Sequence, residues 1–394
     1  MDNSTPLRLR LDKLLSPWEV AFLAALVCLA WQAATVHFNY NGNWTALYCI
    51  GAVRQQPPEI GDGIFVFPNS RGYDGQAYRI VAHDPWIQRG FTKYMDAPQF
   101  RYRRILVPGL AWILAGGRSA SIDGMYVAVL LGFVLLGTAW TALLAVEHGL
   151  PAWAGLGFLL VPAIPVSIDR LTVDIALVAL LAGAVYYCRR GNLALLWLML
   201  AAGVLCRETG IFLVGAATAC YGLRREWVRA VIVATSALPS LAWYSFVYAR
   251  TPYVAEGMMT WIPLQGVFFW LVHPQNYPPR IPLRPLIIGL DYVSLASIFV
   301  ALILFLKFRP GFRSFPDLAA WLCLIPVLFV TRKDIWMEPY SYGRSMAPFW
   351  ALVGYQALTR RTLLPLLPMV MMDLRIAAQC APQVLGIGKG LLGP

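Results

Sequence analysis

The fold class is decided by one apolar run, Ile122-Asp-Gly-Met-Tyr-Val-Ala-Val-Leu-Leu-Gly-Phe-Val-Leu-Leu-Gly-Thr-Ala-Trp-Thr-Ala-Leu-Leu-Ala-Val146. A helix of this length crosses the roughly 30 Å of hydrocarbon in a bilayer. Similar runs recur near residues 17–36, 151–168, 171–187, 228–249, 286–306, 315–331 and 341–358, and a broken run covers 192–222. The sequence therefore predicts an all-α polytopic membrane protein with about ten or eleven transmembrane helices in a single domain, residues 1–394.

The composition supports this class. Of the 394 residues, 59% are hydrophobic and 13% are charged, whereas about 25% are charged in a soluble domain. The net charge of +12 comes from arginines scattered in short loops, and a nucleic-acid-binding protein would instead gather them in a basic stripe. We expect membrane lipids as partners and no nucleic acid.

Basic residues set the predicted orientation. The segment before the first span carries Arg8, Arg10 and Lys13 and has no small-residue cleavage site, which predicts a retained signal anchor with a cytoplasmic N-terminus. The alternation of spans then returns each basic loop to the cytoplasm, namely Arg189-Arg190, Arg224-Arg225-Arg229, Lys307-Arg309-Arg313 and Arg360-Arg361.

This alternation places the basic loops in the cytoplasm only if Ile105–Gly116 does not cross the membrane. The segment is short and contains Pro108, which favours a helix that lies at the membrane surface. Residues 37–121 then form the first extracytoplasmic loop, and residues 250–285 form a second large one. The first loop contains the densest polar stretch of the chain, Arg71-Gly-Tyr-Asp-Gly-Gln-Ala-Tyr-Arg-Ile-Val-Ala-His-Asp-Pro85.

Two aspartates of this stretch are candidate catalytic residues. The Tyr-Asp-Gly turn places Asp74 at or near a helix N-cap. The alternative to a plain cap is a general base whose pKa is raised towards neutrality by desolvation, with Gly75 leaving room for a substrate. Asp84 either binds a divalent ion or a second substrate group, or ends the helix before Pro85.

Several arginines are candidates for binding a phosphate. Arg101, Arg103 and Arg104 precede the surface helix, where they either snorkel to the interface or bind a lipid phosphate. Arg207-Glu208 lies at the break between two half-length runs, and charges at such a position are functional by default or belong to a structural ion network. The partners expected for Arg207 and Glu208 are Asp169-Arg170 and Asp174, and Tyr340-Ser-Tyr-Gly-Arg344 faces the same side.

Together these motifs resemble integral-membrane glycosyltransferases of the GT-C fold class. The resemblance is carried by Tyr-Asp-Gly-Gln-x-Tyr and His-Asp-Pro in the first loop, by Arg-Tyr-Arg-Arg-Ile-Leu-Val-Pro before the surface helix, by the Arg-Glu-Thr-Gly break and by the late Tyr-Gly-Arg. The pattern is similar to bacterial members and, more distantly, to mannosyltransferases of glycolipid-anchor synthesis. The Asp-Glu doublet of the protein O-mannosyltransferase and aminoarabinose-transferase branches is absent, so their substrates are not implied.

The resemblance implies a function and a location. The sugar would come from a polyprenyl-phosphate donor and pass, with inversion, to a hydroxyl acceptor on a lipid, glycan or protein. The active site would be extracytoplasmic, at the outer face of a bacterial inner membrane. By the same resemblance, Asp74 matches the loop aspartate, and Arg207 or Arg344 matches the cations that hold the leaving phosphate.

The expected site combines these assignments. The catalytic candidates are Asp74 and Asp84, no metal ligands are assigned, and a divalent metal is left open. The substrate-binding candidates are polar residues of the same segments: Tyr73, Gln76, Tyr78, His83, Arg103, Arg104, Arg170, Arg207, Glu208, Tyr342 and Arg344.

Two other classes of function compete with the transferase. One is a multi-pass transporter or flippase for a lipid or anionic solute, and the other is a non-catalytic assembly subunit. A transferase gathers its polar residues at one outer mouth, whereas a transporter places them near the bilayer midplane. The sequence places Asp74, Asp84, Arg103, Arg207 and Arg344 on the outer side, which favours the transferase.

Overall fold

Helices account for nearly all regular structure in this protein. The computed structural model describes residues 15–253, 259–278, 283–330 and 333–392. Within these ranges, a parallel pair of two-residue strands, β1 (Ile50–Gly51) and β2 (Val66–Phe67), is the sheet structure, with Ile50 opposite Val66. The predicted all-α polytopic class is confirmed.

Residues 15–223 contain nine α-helices: α1 (Pro17–Asn39), α2 (Asp74–His83), α3 (Pro98–Arg103), α4 (Leu106–Leu114), α5 (Ser119–Glu147), α6 (Ala163–Arg170), α7 (Asp174–Arg189), α8 (Leu193–Cys206) and α9 (Gly210–Leu223). A 3₁₀ helix, Ala152–Leu160, precedes α6. The start of α1 is fixed by a capping box, because the Ser16 hydroxyl accepts the Glu19 amide N–H and the Glu19 carboxylate accepts the Ser16 amide N–H.

The described ranges after residue 223 contain α10 (Trp227–Ala234), α11 (Leu238–Arg250), α12 (Gln265–Val272), α13 (Arg284–Phe308), α14 (Phe315–Phe329), α15 (Lys333–Trp336), α16 (Pro339–Ser345), α17 (Ala347–Arg360), α18 (Leu367–Gln379) and α19 (Ala381–Leu392). The 3₁₀ turn Thr235–Ala237 joins α10 to α11, and Leu364–Leu366 leads into α18.

Four helices within the described residues are long and apolar enough to cross a membrane: Pro17–Asn39, Ser119–Glu147, Trp227–Arg250 and Arg284–Phe308. Two bent pairs raise the number to six, namely Ala152–Leu160 with Ala163–Arg170 (68°) and Leu364–Gln379 with Ala381–Leu392 (55°). The protein is therefore a multi-pass membrane protein, but ten or eleven full spans are not confirmed. Breaks such as Arg207–Thr209 cut the apolar runs into helices shorter than the roughly 20 residues of a full span.

The first loop folds against the bundle as three short helices. Helix α4 has 9 residues and is about 14 Å long, which is too short to cross the roughly 30 Å of hydrocarbon by itself, and its location at the membrane surface stays a prediction. Helix α2 begins at Asp74 with Tyr73 as its N-cap, within one residue of the predicted position. A Cβ atom on Gly75 would collide with the carbonyl oxygens of Tyr48 and Arg170. The expectation that Gly75 leaves room for a substrate is therefore wrong, because it allows backbone packing.

The predicted basic loops lie at one end of the bundle, where ion pairs and hydrogen bonds connect them. Arg189 and Arg190 both pair with Glu147, at 3.0 and 2.9 Å. Side chains from the other loops donate to backbone carbonyls: Arg224 to Arg313 (3.1 Å), Arg360 to Phe308 (3.1 Å) and Arg361 to His148 (3.0 Å). We call this the basic end. The residues Arg8, Arg10 and Lys13 lie outside the described ranges, and the compartment that the basic end faces stays a prediction.

Candidate active site

Asp74 lies between two arginines that come from distant segments. Asp74 is the first residue of α2, Arg101 belongs to α3 and Arg344 belongs to α16. The Arg101 Nη2 atom lies 2.8 Å from Asp74 Oδ1, and Arg344 bonds the other carboxylate oxygen across 270 positions of sequence. Both guanidinium groups are buried, so the Asp74 carboxylate is fixed from two sides.

A second aspartate extends the group into the bundle. Asp174, the first residue of α7, is fully buried and bonds Arg207. The Arg344 Nη1 atom lies 3.4 Å from the other oxygen of Asp174, so Arg344 bridges the two aspartates. Arg207 also donates to the Arg344 carbonyl (3.4 Å) and to the Ser345 hydroxyl (3.1 Å). Both terminal nitrogens of Arg207 are therefore engaged by the protein.

Glu208 pairs with two more arginines, Arg103 at the end of α3 and Arg104 directly after it. Arg104 Nη2 lies 3.1 Å from Glu208, and Arg103 Nε lies 3.4 Å away. Arg104 also donates to the Tyr78 hydroxyl at 2.8 Å. The adjacent residues Arg207 and Glu208 thus have separate partners, as expected from their positions, and Arg103 and Arg104 are tied to protein rather than free to snorkel.

We call these residues the charge cluster: Asp74, Arg101, Arg103, Arg104, Asp174, Arg207, Glu208 and Arg344. It contains five arginines and three carboxylates, an excess of two positive charges. At its rim Asp96 pairs with Arg101 at 3.1 Å and with Arg54 at 3.2 Å, which leaves the excess unchanged. The cluster would therefore be stabilised by an added anion.

The pKa of Asp74 is shifted in the opposite direction to the prediction. Burial alone would raise this pKa, but the charges of Arg101 and Arg344 outweigh burial and hold it well below the ordinary value. An opposite charge in direct contact favours the ionised form of a carboxyl. The expected rise towards neutrality is therefore wrong, and in the free protein Asp74 is a weak proton acceptor.

Three buried polar atoms beside Asp74 lack a partner in the described part of the chain. They are Arg101 Nη1, Arg344 Nε and the Tyr73 hydroxyl, which has the Ser341 side chain nearby but beyond hydrogen-bond distance. The Arg344 guanidinium carbon lies 4.9 Å from the centre of the Tyr73 ring. Buried polar groups are nearly always hydrogen-bonded in native proteins. These open donors therefore mark the place where an acceptor, such as a substrate oxygen, would bind.

Glu338 is a carboxyl group near this place that the sequence analysis missed. It is the N-cap residue of α16 and accepts a hydrogen bond from the Ser341 hydroxyl at 3.4 Å. Burial raises the pKa of Glu338, and the nearby Arg344 charge offsets only part of the rise. No ion pair with Glu338 occurs among residues 15–253, 259–278, 283–330 and 335–392. The signal in the sequence was Glu338-Pro339, because proline is favoured at the first position of a helix.

Comparisons with known proteins identify no relative of this chain. No protein-family model, curated protein or solved structure matches it. In the described residues, no group of three or more histidine, cysteine, aspartate or glutamate side chains is arranged to hold a metal ion. The function proposed below therefore depends on the contacts and charges of the cluster and on the sequence motifs.

Three predicted site residues of α2 and its C-cap have partners outside the charge cluster instead. Asp84 accepts the backbone N–H groups of Gln88 (2.8 Å) and Arg89 (2.9 Å), so it shapes the turn after α2. The two ring nitrogens of His83 bond Ser119 (3.0 Å) and Asp123 (3.3 Å). The Gln76 amide bonds the Arg71 carbonyl (2.8 Å) and the Gly51 N–H (3.2 Å).

Arg170 and Tyr342 also have partners outside the charge cluster. Arg170 pairs with the adjacent Asp169 at 3.0 Å, and the Tyr340 hydroxyl donates to the same carboxylate at 2.9 Å. The Tyr342 hydroxyl lies 2.5 Å from the Ser294 hydroxyl. Of the partners expected for Arg207, Asp174 is therefore the one that the structure provides.

Proposed function

We propose that this protein is an integral-membrane glycosyltransferase that moves a sugar, with inversion, from a polyprenyl-phosphate donor to a hydroxyl acceptor at the outer face of a bacterial inner membrane. The observation that carries the proposal is the excess of buried arginine around Asp74 and Asp174 together with the open donors of Arg101 and Arg344. Guanidinium groups match the geometry and charge of a phosphate. The sugar-transfer chemistry is inferred from the resemblance of the motifs to GT-C enzymes.

In the proposed reaction each of these residues has a role. The acceptor oxygen bonds to the anomeric carbon as the bond from that carbon to the phosphate oxygen breaks, and the electron pair of that bond leaves with the phosphate. Arg101 and Arg344 donate to the phosphate oxygens, where negative charge increases. Asp74 holds both arginines in position. Glu338 accepts the proton of the acceptor hydroxyl, since a carboxylate with a raised pKa is the better base.

Helix α7 favours the transferase over the transporter. It runs from Asp174 in the charge cluster to Arg189 at the basic end, and its 16 residues cover about 24 Å. From Ile175 to Val185 its side chains are all apolar, apart from one glycine, and almost all are buried. A transporter of this kind would need polar groups near the bilayer midplane. Along this helix the charges lie only near the two ends.

Reconstitution with lipid-linked sugars tests the proposal. In nanodiscs that contain an extracted pool of polyprenyl-phosphate sugars and membrane acceptors, the protein should convert at least one donor to free polyprenyl phosphate. Mass spectrometry of the lipid fraction would detect both species. If no donor in the pool loses its sugar while the protein moves the intact carrier across vesicle membranes, the flippase interpretation is correct instead.

Replacing Glu338 with glutamine should slow transfer by about 10² to 10⁴. In the wild type, the rate should fall as pH drops through the raised pKa of Glu338, and this acidic limb should disappear in Glu338→Gln. The measurement is the single-turnover rate as a function of pH.

The folding control for Glu338→Gln follows from the sign of the same pKa shift. A raised pKa in the folded state means that stability is lost as pH rises and Glu338 ionises. Glutamine avoids that loss, so the thermal stability of Glu338→Gln at pH 7 should equal or exceed that of the wild type. Glu226→Gln, at the basic end, should leave the acidic limb unchanged. An acidic limb that persists in Glu338→Gln would exclude Glu338 as the proton acceptor.

A further inference from the structure

A polar cavity of about 610 Å³ opens at the basic end, opposite the charge cluster. Its charged walls come from the ends of five segments: Glu147 of α5, Arg189 of α7, Arg224 after α9, Asp317 of α14 and Arg360 of α17. The uncharged polar groups beside them include Ser314 and Gln356. The cavity is thus enclosed by helix ends rather than by one loop.

The arginines of this cavity differ in how their charge is compensated. Arg189 pairs with Glu147, and Asp317 is bonded by the Ser314 hydroxyl at 2.6 Å. Arg224 and Arg360 have no carboxylate within 4.0 Å in the described ranges, and both donate to neutral backbone carbonyls. Asp317 likewise has no cation within 4.0 Å in these ranges, so the cavity lining holds three arginines against two carboxylates, and an anionic group would balance the excess positive charge.

An apolar groove of about 540 Å³ adjoins the cavity. Its walls are the 3₁₀ helix Ala152–Leu160 and apolar residues of α5, α7, α17 and α18. Val185 and Tyr355 line both spaces, so the cavity and the groove share a wall. A polar, cationic volume next to an apolar groove matches the two parts of an anionic phospholipid.

We propose that the basic end binds one anionic phospholipid, with its phosphate on Arg224 and Arg360 and an acyl chain in the groove. Basic pockets between transmembrane helices are suited to anionic lipid headgroups. The apolar groove favours a lipid over a soluble phosphate as the ligand, because a free phosphate has no apolar part that could bind there. This site is separate from the proposed glycosyltransferase site and does not depend on that function.

Lipid binding to the purified full chain in detergent tests the proposal. Dioleoylphosphatidylglycerol should raise the midpoint of thermal unfolding, whereas dioleoylphosphatidylcholine, which carries a neutralising cation, and glycerol 3-phosphate, which lacks chains, should not. Native mass spectrometry should show one tightly held phosphatidylglycerol. Equal stabilisation by phosphatidylcholine would overturn the role of the arginines, and equal stabilisation by glycerol 3-phosphate would overturn the choice of a lipid.

Matched variants locate the site. Arg224→Gln and Arg360→Gln should each weaken phosphatidylglycerol binding by roughly fivefold. Arg229→Gln is the control, because Arg229 lies at the same end but pairs with Glu226 at 2.6 Å and does not line the cavity. If the double variant Arg224→Gln/Arg360→Gln binds phosphatidylglycerol as tightly as the wild type, the proposal is wrong. If the double variant does not fold, the proposal is still tested by comparing phosphatidylglycerol, phosphatidylcholine and glycerol 3-phosphate on the wild type.

Discussion

Asp74→Asn should reduce the rate of sugar transfer by about a hundredfold or more, because a neutral amide cannot hold two buried guanidinium groups in position for the phosphate. The substitution should also lower stability. The pKa of Asp74 is lowered in the folded state, so its ionised form stabilises the fold at neutral pH, and this contribution is lost only as pH falls through the lowered value. Removing one partner from a buried ion network costs about 3–5 kcal/mol.

The control for Asp74→Asn separates lost stability from lost chemistry. Asp96 pairs with the same Arg101 at 3.1 Å, but its side chain is 41% exposed at the rim of the cluster. Asp96→Asn should therefore keep most of the activity, as should Asp84→Asn in any fraction that folds. Rates would be compared at a temperature where all three variants are folded by circular dichroism. Full activity of Asp74→Asn would place the active site elsewhere, and loss of activity in Asp84→Asn alone would move it to Asp84.

Arg344→Lys should lower the maximal rate by about 10² to 10³, and Arg344→Ala should lower it at least as much. Arg344 contacts Asp74 and Asp174 through its terminal nitrogens and keeps Nε open for a phosphate oxygen. Lysine retains the charge but lacks the planar fork, so it cannot bridge two aspartates and also bind a phosphate. Arg344 is preferred to Arg207 as the phosphate ligand, because Arg344 has a buried nitrogen, Nε, without a hydrogen-bond partner among the described residues, whereas no nitrogen of Arg207 is left in this way.

Arg375→Lys is the matched control for this experiment. Arg375 is buried to nearly the same extent as Arg344. It forms an ion pair with Asp291, at 2.6 Å, and neither residue belongs to the charge cluster. Both substitutions should lower the melting temperature, but only Arg344→Lys should lower the transfer rate of the folded protein. A parallel loss of activity in the two variants would indicate that the arginines act through stability alone.

Much of the secondary structure was predictable from local pattern. The helix after the Tyr-Asp-Gly turn, the short helix α4 and the break at Arg207-Glu208 all follow from periodicity, proline positions and run length, and all three are present. The number of full spans was not predictable in the same way. Hydropathy identifies an apolar run but not a bend inside it, such as the one that separates Ala152–Leu160 from α6.

The contacts within the candidate site were only partly predictable. Asp174 was among the partners expected for Arg207, but nothing in the local sequence indicates that Arg344 lies against Asp74. That contact lowers the pKa of Asp74, whereas the sequence predicted a rise. The prediction took burial into account but not the two arginine charges. His83 and Asp84 appeared functional because they lie close to Asp74 in sequence, but their hydrogen bonds are made to nearby loop and helix residues.

The bridging position of Arg344 has a consequence for how the protein is made. Translation delivers the N-terminal segments first, so Asp74 can meet Arg101 and Asp174 can meet Arg207 long before residue 344 leaves the ribosome. Each aspartate therefore has one cationic partner in the chain before the last helices are made. The two pairs become one site only when Arg344 arrives and joins them. Most of the bundle is thus in place before phosphate-binding geometry exists.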